Sequence, residues 1–382
     1  MESHNLLFQF FAIFTAAKIF GEIFSRLKMP AVVGELLAGV FLGAHCLGII
    51  SSEDTTLMSL AEMGVIFLLF YVGLEIRVKD FLSAGKTSIM VGLLGAVIPF
   101  FFGYIIMAFM GYPQIENLFV GTALMATSVG ISARVLKDLG LIKNKVAYIV
   151  LGAAVFDDVI ALIALAIVKG LGHGSFNLLE IGLLLGEAIL FVGFLTFIGP
   201  RLAFKYRNIF EKVRIPEGPF VLSIILCLGL SFLAENIGLA AIIGAFMAGI
   251  VIDELAGVYD LEVKVKYVNE FLLPFFFVMM GAFVDPYVFL QWNSLILIII
   301  ITLIAILSKI IGSALAAWKE GFVVSLQTGV CMVPRGEVGI IVAMIGLSEG
   351  TISMPIYSMV ISISILTTLA APPLIKWAFK EK

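Results

Sequence analysis

Apolar residues in this chain come in long runs separated by short polar breaks. They do not form the narrow stripes of water-facing helices. Runs such as 87–110 and 294–318 exceed the ~20 residues that carry a helix across a bilayer. Thirteen runs are read, at about 5–25, 30–50, 56–75, 87–110, 117–137, 146–169, 176–203, 218–235, 238–253, 267–284, 294–318, 322–347 and 353–378. Only Asn236 and Ile237 separate the two runs within 218–253. The pattern predicts an all-α polytopic membrane protein. Its loops are too short to hold a soluble catalytic or regulatory domain.

Composition narrows the picture further. Hydrophobic residues make up 61% and charged residues 13%, against about one-quarter charged in a soluble domain. The mean hydropathy is +1.14. So much apolar surface excludes a water-facing globule and makes the lipid bilayer an expected partner. A net charge of -3 is bland and says nothing about partners; no nucleic acid partner is expected. The first run follows Met1, Glu2, Ser3 and His4, without the basic start of a signal peptide, so it is read as a retained span. Cys46, Cys227 and Cys331 lie scattered through apolar stretches and are expected to be inert buried thiols.

Basic residues set an orientation. One set of alternate loops holds Arg26, Lys28, Arg77, Lys79, Lys86, Lys137, Lys143, Lys145, Arg201, Lys205, Arg207, Lys212, Arg214, Lys264, Lys266, Lys319, Lys376, Lys380 and Lys382. The opposite loops hold only Lys169. The positive-inside rule then places the C-terminus in the cytoplasm and, with thirteen spans, the N-terminus outside.

The two halves echo each other. Ala31, Gly34, Ala38 and Gly39 correspond to Ala241, Gly244, Ala248 and Gly249 at an offset of 210. Glu62 and Gly73 correspond to Glu270 and Gly281 at 208, and Val129, Gly130 and Ile131 to Val338, Gly339 and Ile340 at 209. This predicts two six-span repeats, about 5–169 and 218–378, joined by a linker span at about 176–203. A single linking span inverts the second repeat. Inverted repeats belong to secondary transporters, whose sites lie at mid-membrane.

Charges inside the apolar runs locate candidate chemistry. Each costs on the order of 2.5–3.5 kcal/mol at a helix centre, so each asks for a partner and a role. Asp157 and Asp158 sit together in an apolar helix. Neighbours on a helix point about 100° apart, so the two fan out. A carboxylate that either a proton or a hard cation can neutralise is the minimum requirement for exchange. Lys309 lies deep in its span and needs a counter-charge. An Asp157–Lys309 pair would leave Asp158 as the ion ligand. The run 333–340 carries Pro334, Arg335, Gly336, Glu337 and Gly339; its repeat partner carries Thr127, Ser128 and Gly130. Two interrupted helices at matching positions are the sequence mark of a binding site. Lys18 and Glu22, spaced i,i+4, are expected to pair. Glu35, Glu62, Glu187 and Glu270 are secondary candidates for the ion path. His45 beside Cys46 reads as a surface pair, and the Gly346–Gly350 match to a hydrolase pattern reads as chance.

These motifs resemble the monovalent cation:proton antiporter-2 family, and within it the Na+/H+ antiporters of the NapA and GerN type. The resemblance covers essentially the whole chain. It rests on Phe156, Asp157 and Asp158, on the 126–131 segment, on Lys309 and on Pro334 to Glu337. It implies a thirteen-helix NhaA/NapA-like fold with two broken crossing helices, and a homodimer in the cell membrane. A core of about 87–169 and 294–378 would move as an elevator against a dimerisation part of about 5–75 and 218–284. It further implies that Asp158 carries Na+ or H+ while Asp157 pairs with Lys309. Arg335 and Glu337 are carried as coupling residues, with Thr127 and Ser128 as further ion ligands. Glutathione-gated potassium efflux members differ in the 334–338 stretch and carry a cytoplasmic nucleotide-binding domain. The end at Lys382, close behind the last span, is therefore expected to exclude that subgroup.

The expected activity is exchange of Na+, with Li+ as a further substrate, against H+, with no cofactor and no enzymatic reaction. A K+(Na+)/H+ exchanger on the same fold and a Na+-coupled organic solute symporter stay open, and a channel ranks below both. The stoichiometry is one to one if Asp157 and Lys309 form a static pair. It is two protons per Na+ if that pair also exchanges a proton.

Overall fold

The computed structural model describes residues 6–51, 54–173, 178–207, 213, 215–283, 292–348 and 350–380. Lys212, Arg214 and Lys382 lie outside them, as does the side chain of Glu337. The described residues form helices joined by loops and turns, with no strand. In chain order the helices are α1 (Leu6–Arg26), α2 (Ala31–Leu42), α3 (Thr55–Leu74), α4 (Val78–Phe109), α5 (Gln114–Met125), α6 (Val129–Asp138), α7 (Lys145–His173), α8 (Leu178–Phe197) and α9 (Gly199–Lys205). There follow α10 (Gly218–Asn236), α11 (Ala241–Val251), α12 (Leu261–Ala282), α13 (Trp292–Ala316), α14 (Phe322–Cys331), α15 (Glu337–Ser348) and α16 (Met354–Ala378), with the short helical turns Asp253–Ala256 and Trp318–Glu320 left unnumbered. Most of the long helices are apolar nearly all round, as contact with lipid requires, and a helix satisfies its backbone polar groups within the segment.

Among the described residues nine helical stretches are long and apolar enough to cross a membrane. The count becomes ten if α8 and α9, bent by 41°, form one span. Three other predicted runs contain shorter helices. α2 has 12 residues and α11 has 11, about 16–18 Å of helix at 1.5 Å per residue. The run 322–347 splits into α14 and α15. The run 117–137 is also broken, into α5 and α6, and is counted as one stretch.

Two sets of neighbours organise the packing. α3 lies against α11 and α12, α12 against α2, α1 against α2 and α10 against α11. Separately, α4 lies against α5, α7 and α13, and α13 packs on α14 and α16. Small residues let the first set approach backbone to backbone. A Cβ on Gly39 would sit 2.0 Å from the Val278 carbonyl oxygen, and one on Gly281 2.0 Å from that of Leu36. Likewise, a Cβ on Gly73 would sit 2.3 Å from the Phe246 oxygen, and one on Gly249 2.5 Å from the Phe70 oxygen.

Two expectations are corrected. Lys18 does not pair with Glu22. Glu22 accepts from Arg26 at 2.8 Å, and Lys18 reaches across to Glu270 on α12 at 4.0 Å. Arg26 also lies four residues from Glu22 and faces solvent, where ion pairing carries no desolvation cost. Cys227 and Cys331 are buried, but Cys46 is exposed because the α2 helix ends at Leu42 and leaves it in the following turn.

Candidate ion site

The site lies where the two interrupted helices meet. α5 ends at Met125 and α6 starts at Val129; α14 ends at Cys331 and α15 starts at Glu337. Pro334 and Gly336 explain the second break, since Pro lacks an N–H and disfavours helix in the residue before it. The breaks clasp each other. The Ser128 N–H donates to the Pro334 carbonyl at 2.8 Å, and the Ser132 hydroxyl donates to the Cys331 carbonyl at 2.5 Å. The Thr368 hydroxyl on α16 donates to the Arg335 carbonyl. Gly336 makes room for Ser128, because a Cβ there would lie 2.7 Å from the Ser128 hydroxyl oxygen.

A helix that stops inside the protein leaves carbonyls without partners and a partial negative charge. Two buried cations cover the end of α5. Lys309 on α13 donates to the Met125 carbonyl. Arg335 donates to the Leu124 carbonyl, to that of Ala126 at 3.4 Å, and to Ala305 on α13 at 3.0 Å. Both cations are fully shielded from solvent.

Lys309 also holds the first aspartate. Its ammonium lies 3.1 and 3.2 Å from the two carboxylate oxygens of Asp157, and both side chains are 0% exposed. Asp158, next along α7, turns elsewhere. It lines a small cavity with Val129 on α6, Leu69 on α3, and Ile242, Ile243 and Phe246 on α11. The two carboxylates thus diverge as helix geometry requires. Asp157 faces α13, and Asp158 faces the seam between α6–α7 and α3–α11. Thr127 and Ser128, which directly precede Val129 in the chain, are buried, and their hydroxyl oxygens have no hydrogen-bond partner among the described residues. Unpartnered buried hydroxyls ask for an explanation, and a dehydrated cation is one that fits.

The secondary candidates divide. Glu35 is buried and faces Arg134 at 3.7 Å, while Glu270 is partly exposed and meets Lys137 at 3.9 Å. Glu62 and Glu187 are exposed. Sequence reasoning passed over Arg134, which is buried on α6 and donates to Asp138 at 3.0 Å. Its i,i+4 spacing from Asp138 was the available signal. It also passed over Glu116, which accepts from the Ser353 N–H at 3.0 Å and ties α5 to the start of α16.

Several relatives match this chain over nearly its full length. The family model described as "Sodium/hydrogen exchanger, transmembrane" matches residues 11–381. The Bacillus cereus Na(+)/H(+)-K(+) antiporter GerN is 34% identical over 384 residues, covering 99% of this chain and 97% of its own. A Na(+)/H(+) antiporter of Enterococcus hirae is 34% identical over 374 residues, covering 97% of each. The electron-microscopy structure of the sodium proton antiporter MjNhaP1 from Methanocaldococcus jannaschii matches with a TM-score of 0.74 at 20% identity, covering 99% of this chain and 97% of its own. That likeness speaks for the fold. With a family model spanning nearly all of it and full-length relatives above 30% identity, the chain belongs to the transmembrane sodium/hydrogen exchanger family.

Proposed function

We propose that the chain exchanges a monovalent cation, Na+ first, for protons across the cell membrane, with cation and proton competing for Asp158. The observation that carries this reading is the buried Asp157–Asp158 pair at the crossing of two broken helices, with Lys309 on the first aspartate. Na+ binds the deprotonated Asp158 with the hydroxyl oxygens of Thr127 and Ser128 at the first break. Neutralisation by Na+ or by H+ lets the site cross the apolar barrier. An uncompensated carboxylate is held back by several kcal/mol, and that difference couples the two fluxes.

The movement is an elevator. α4–α7 and α13–α16 form the travelling core, and α1–α3 with α10–α12 form the scaffold through which two copies dimerise. The packing supports the inverted repeats behind this division. Gly39 closes on Val278 and Gly249 on Phe70; Gly281 closes on Leu36 and Gly73 on Phe246. Within each pair every residue of one contact maps onto the other at the offsets of 208 and 210 seen in the sequence. Gly34 against Phe20 and Gly244 against Leu230 repeat in the same way. The short α2 and α11 then count as spans, which gives thirteen, with the N-terminus outside and the C-terminus in the cytoplasm.

K+ is a second substrate, favoured by the name of the GerN relative, which includes K+ alongside Na+ and H+. The test is reconstitution in liposomes with an imposed pH gradient and a pH-sensitive dye. Na+, K+ or Li+ is added, and the native chain is compared with Asp158→Asn. Na+-driven dissipation that vanishes in the variant is the expected result. Dissipation that survives moves the carrier to Asp157. No cation-dependent proton movement in the native chain overturns the exchange reading.

A further inference from the structure

The proposed ion site uses the start of α6 but not its end, and the end carries a cluster of charged residues. Arg134, 7% exposed, lies 3.7 Å from Glu35 on α2, which is 3% exposed. It also bonds Asp138 one turn on. Lys137 lies 3.9 Å from Glu270 on α12 and 3.9 Å from the ring centre of Tyr71 on α3. Lys18 on α1 stands 4.0 Å from the other oxygen of Glu270. The two cations thus sit on one helix, and the carboxylates they face, Glu35 and Glu270, sit on its neighbours. α6 is only 10 residues long and starts directly after Ser128. Whatever holds its far end therefore fixes the 127–128 segment.

We propose that Arg134 and Lys137 are positioning residues for the exchange: with Glu35 and Glu270 they latch α6 to α2 and α12, and the latch parts in every cycle. The proposal rests on the two-part movement described above. Three observations carry it. The contacts between units, at 3.7 and 3.9 Å, are ion contacts and not tight hydrogen bonds. The Glu35 Oε2 and Lys137 Nζ atoms are buried with no hydrogen-bond partner among the described residues. A permanent strut would satisfy such groups, because each one left over costs stability without return. A polar cleft lined by Lys28, Arg134, Asp138 and Lys376 opens beside the pair. Water entering there can solvate the charges as they separate and so lower the cost of parting them.

The test reads access to the ion site from each side of the membrane. Ile243, which lines the cavity with Asp158, is changed to Cys in a chain whose Cys46, Cys227 and Cys331 are replaced by Ser. Labelling by a membrane-impermeant maleimide is timed from either face, with and without Na+, in the full-length protein in vesicles. Glu35→Gln and Lys137→Gln are each expected to speed labelling from the basic-loop face by about fivefold or more, the size of a modest coupling between sites. Lys137→Arg is expected to keep the parent rate. A lower thermal midpoint with unchanged labelling would mean a merely structural contact and would overturn the latch. If labelling of the parent responds to Na+ but none of the variants differs from it, the latch is refuted and the two-part movement stands. If the parent itself labels equally from both faces, with or without Na+, while transport continues, the movement fails and the latch fails with it.

Discussion

Replacing Lys309 by Met tests how strongly the buried pair is coupled. The ammonium lies 3.1 Å from Asp157 with both side chains fully buried. At an effective dielectric of ~20, Coulomb's law gives about 5 kcal/mol of attraction at that distance. Breaking a buried pair by deleting one partner costs about 3–5 kcal/mol, because a charge is left without compensation. Lys309→Met also leaves the Met125 carbonyl without its donor, a further ~1 kcal/mol. Removing both charges, as Asp157→Asn with Lys309→Met, costs less than the sum of the single changes. A double-mutant cycle is expected to return a coupling of at least ~2 kcal/mol. The assay is intrinsic tryptophan fluorescence during thermal unfolding in detergent, with Trp292, Trp318 and Trp377 as the reporters. At about 2 °C per kcal/mol, Lys309→Met loses roughly 8–12 °C, and the double variant recovers part of it. Additive losses would refute the reasoning, since they would mean that the two side chains do not sense each other.

Three further outcomes follow from other contacts. Thr127→Ala and Ser128→Ala are each expected to raise the Na+ KM about fivefold, the value of roughly one hydrogen-bond-sized interaction; unchanged KM in both would remove these hydroxyls from the ligand set. Gly281→Ala puts a Cβ 2.0 Å from the Leu36 oxygen and is expected to lower stability by about 1–3 kcal/mol. Gly85→Ala, where nothing lies within 4 Å, is the control and should show no loss on heating. At the protein surface, Lys145 at 2.5 Å and the Thr87 hydroxyl at 2.6 Å hold the Glu320 carboxyl below its usual value. Its contribution is present above the unfolded-state value and fades as pH falls through the folded one. Lys145→Gln is therefore expected to cost ~0.2–1 kcal/mol at neutral pH, and the melting curves of variant and parent should converge in acid.

What could be read from the sequence depended on contrast. Asp157, Asp158 and Lys309 stand alone in apolar stretches, and a charge there has few partners to choose from. The diverging directions of the two aspartates follow from helix geometry and hold in the structure. Arg335 was harder to place. Its nearest opposite charge in sequence is Glu337, whose side chain lies outside the described residues, and its contacts among the described residues are backbone carbonyls on α5 and α13. Such partners appear only once the half-helices are folded together, because a carbonyl becomes needy only where a helix stops. Arg134 and Lys137 were hidden for the opposite reason. They lie near a span end, among basic residues that read as a topology signal, so their burial against Glu35 and Tyr71 had no mark in the pattern. Lys18 misled because spacing along one helix says nothing about a neighbour on α12.

The placement of Arg335 bears on how the site counts its charge. Among the described side chains, with Asp157 cancelled by Lys309, a formal tally sets Asp158 against Arg335 and leaves the empty site neutral. On that tally nothing would stop the empty core from crossing, and exchange would leak. The contacts argue for a different balance. The Arg335 guanidinium is turned onto the carbonyls of Leu124, Ala126 and Ala305. The first two belong to the stopped end of α5, which carries about half a negative charge. Much of that positive charge is therefore spent on backbone dipoles fixed in the same rigid crossing. Asp158 lines the cavity at the seam with α3 and α11, which also takes in Val129 at the start of α6. On the proposed mechanism it is the charge whose neutralisation differs between the empty and loaded states. Arginine suits this role better than lysine. Its planar fork reaches three carbonyls from a single position and stays charged throughout. A break in α5 without such a cap would leave buried carbonyls competing with Asp158 for the same cation.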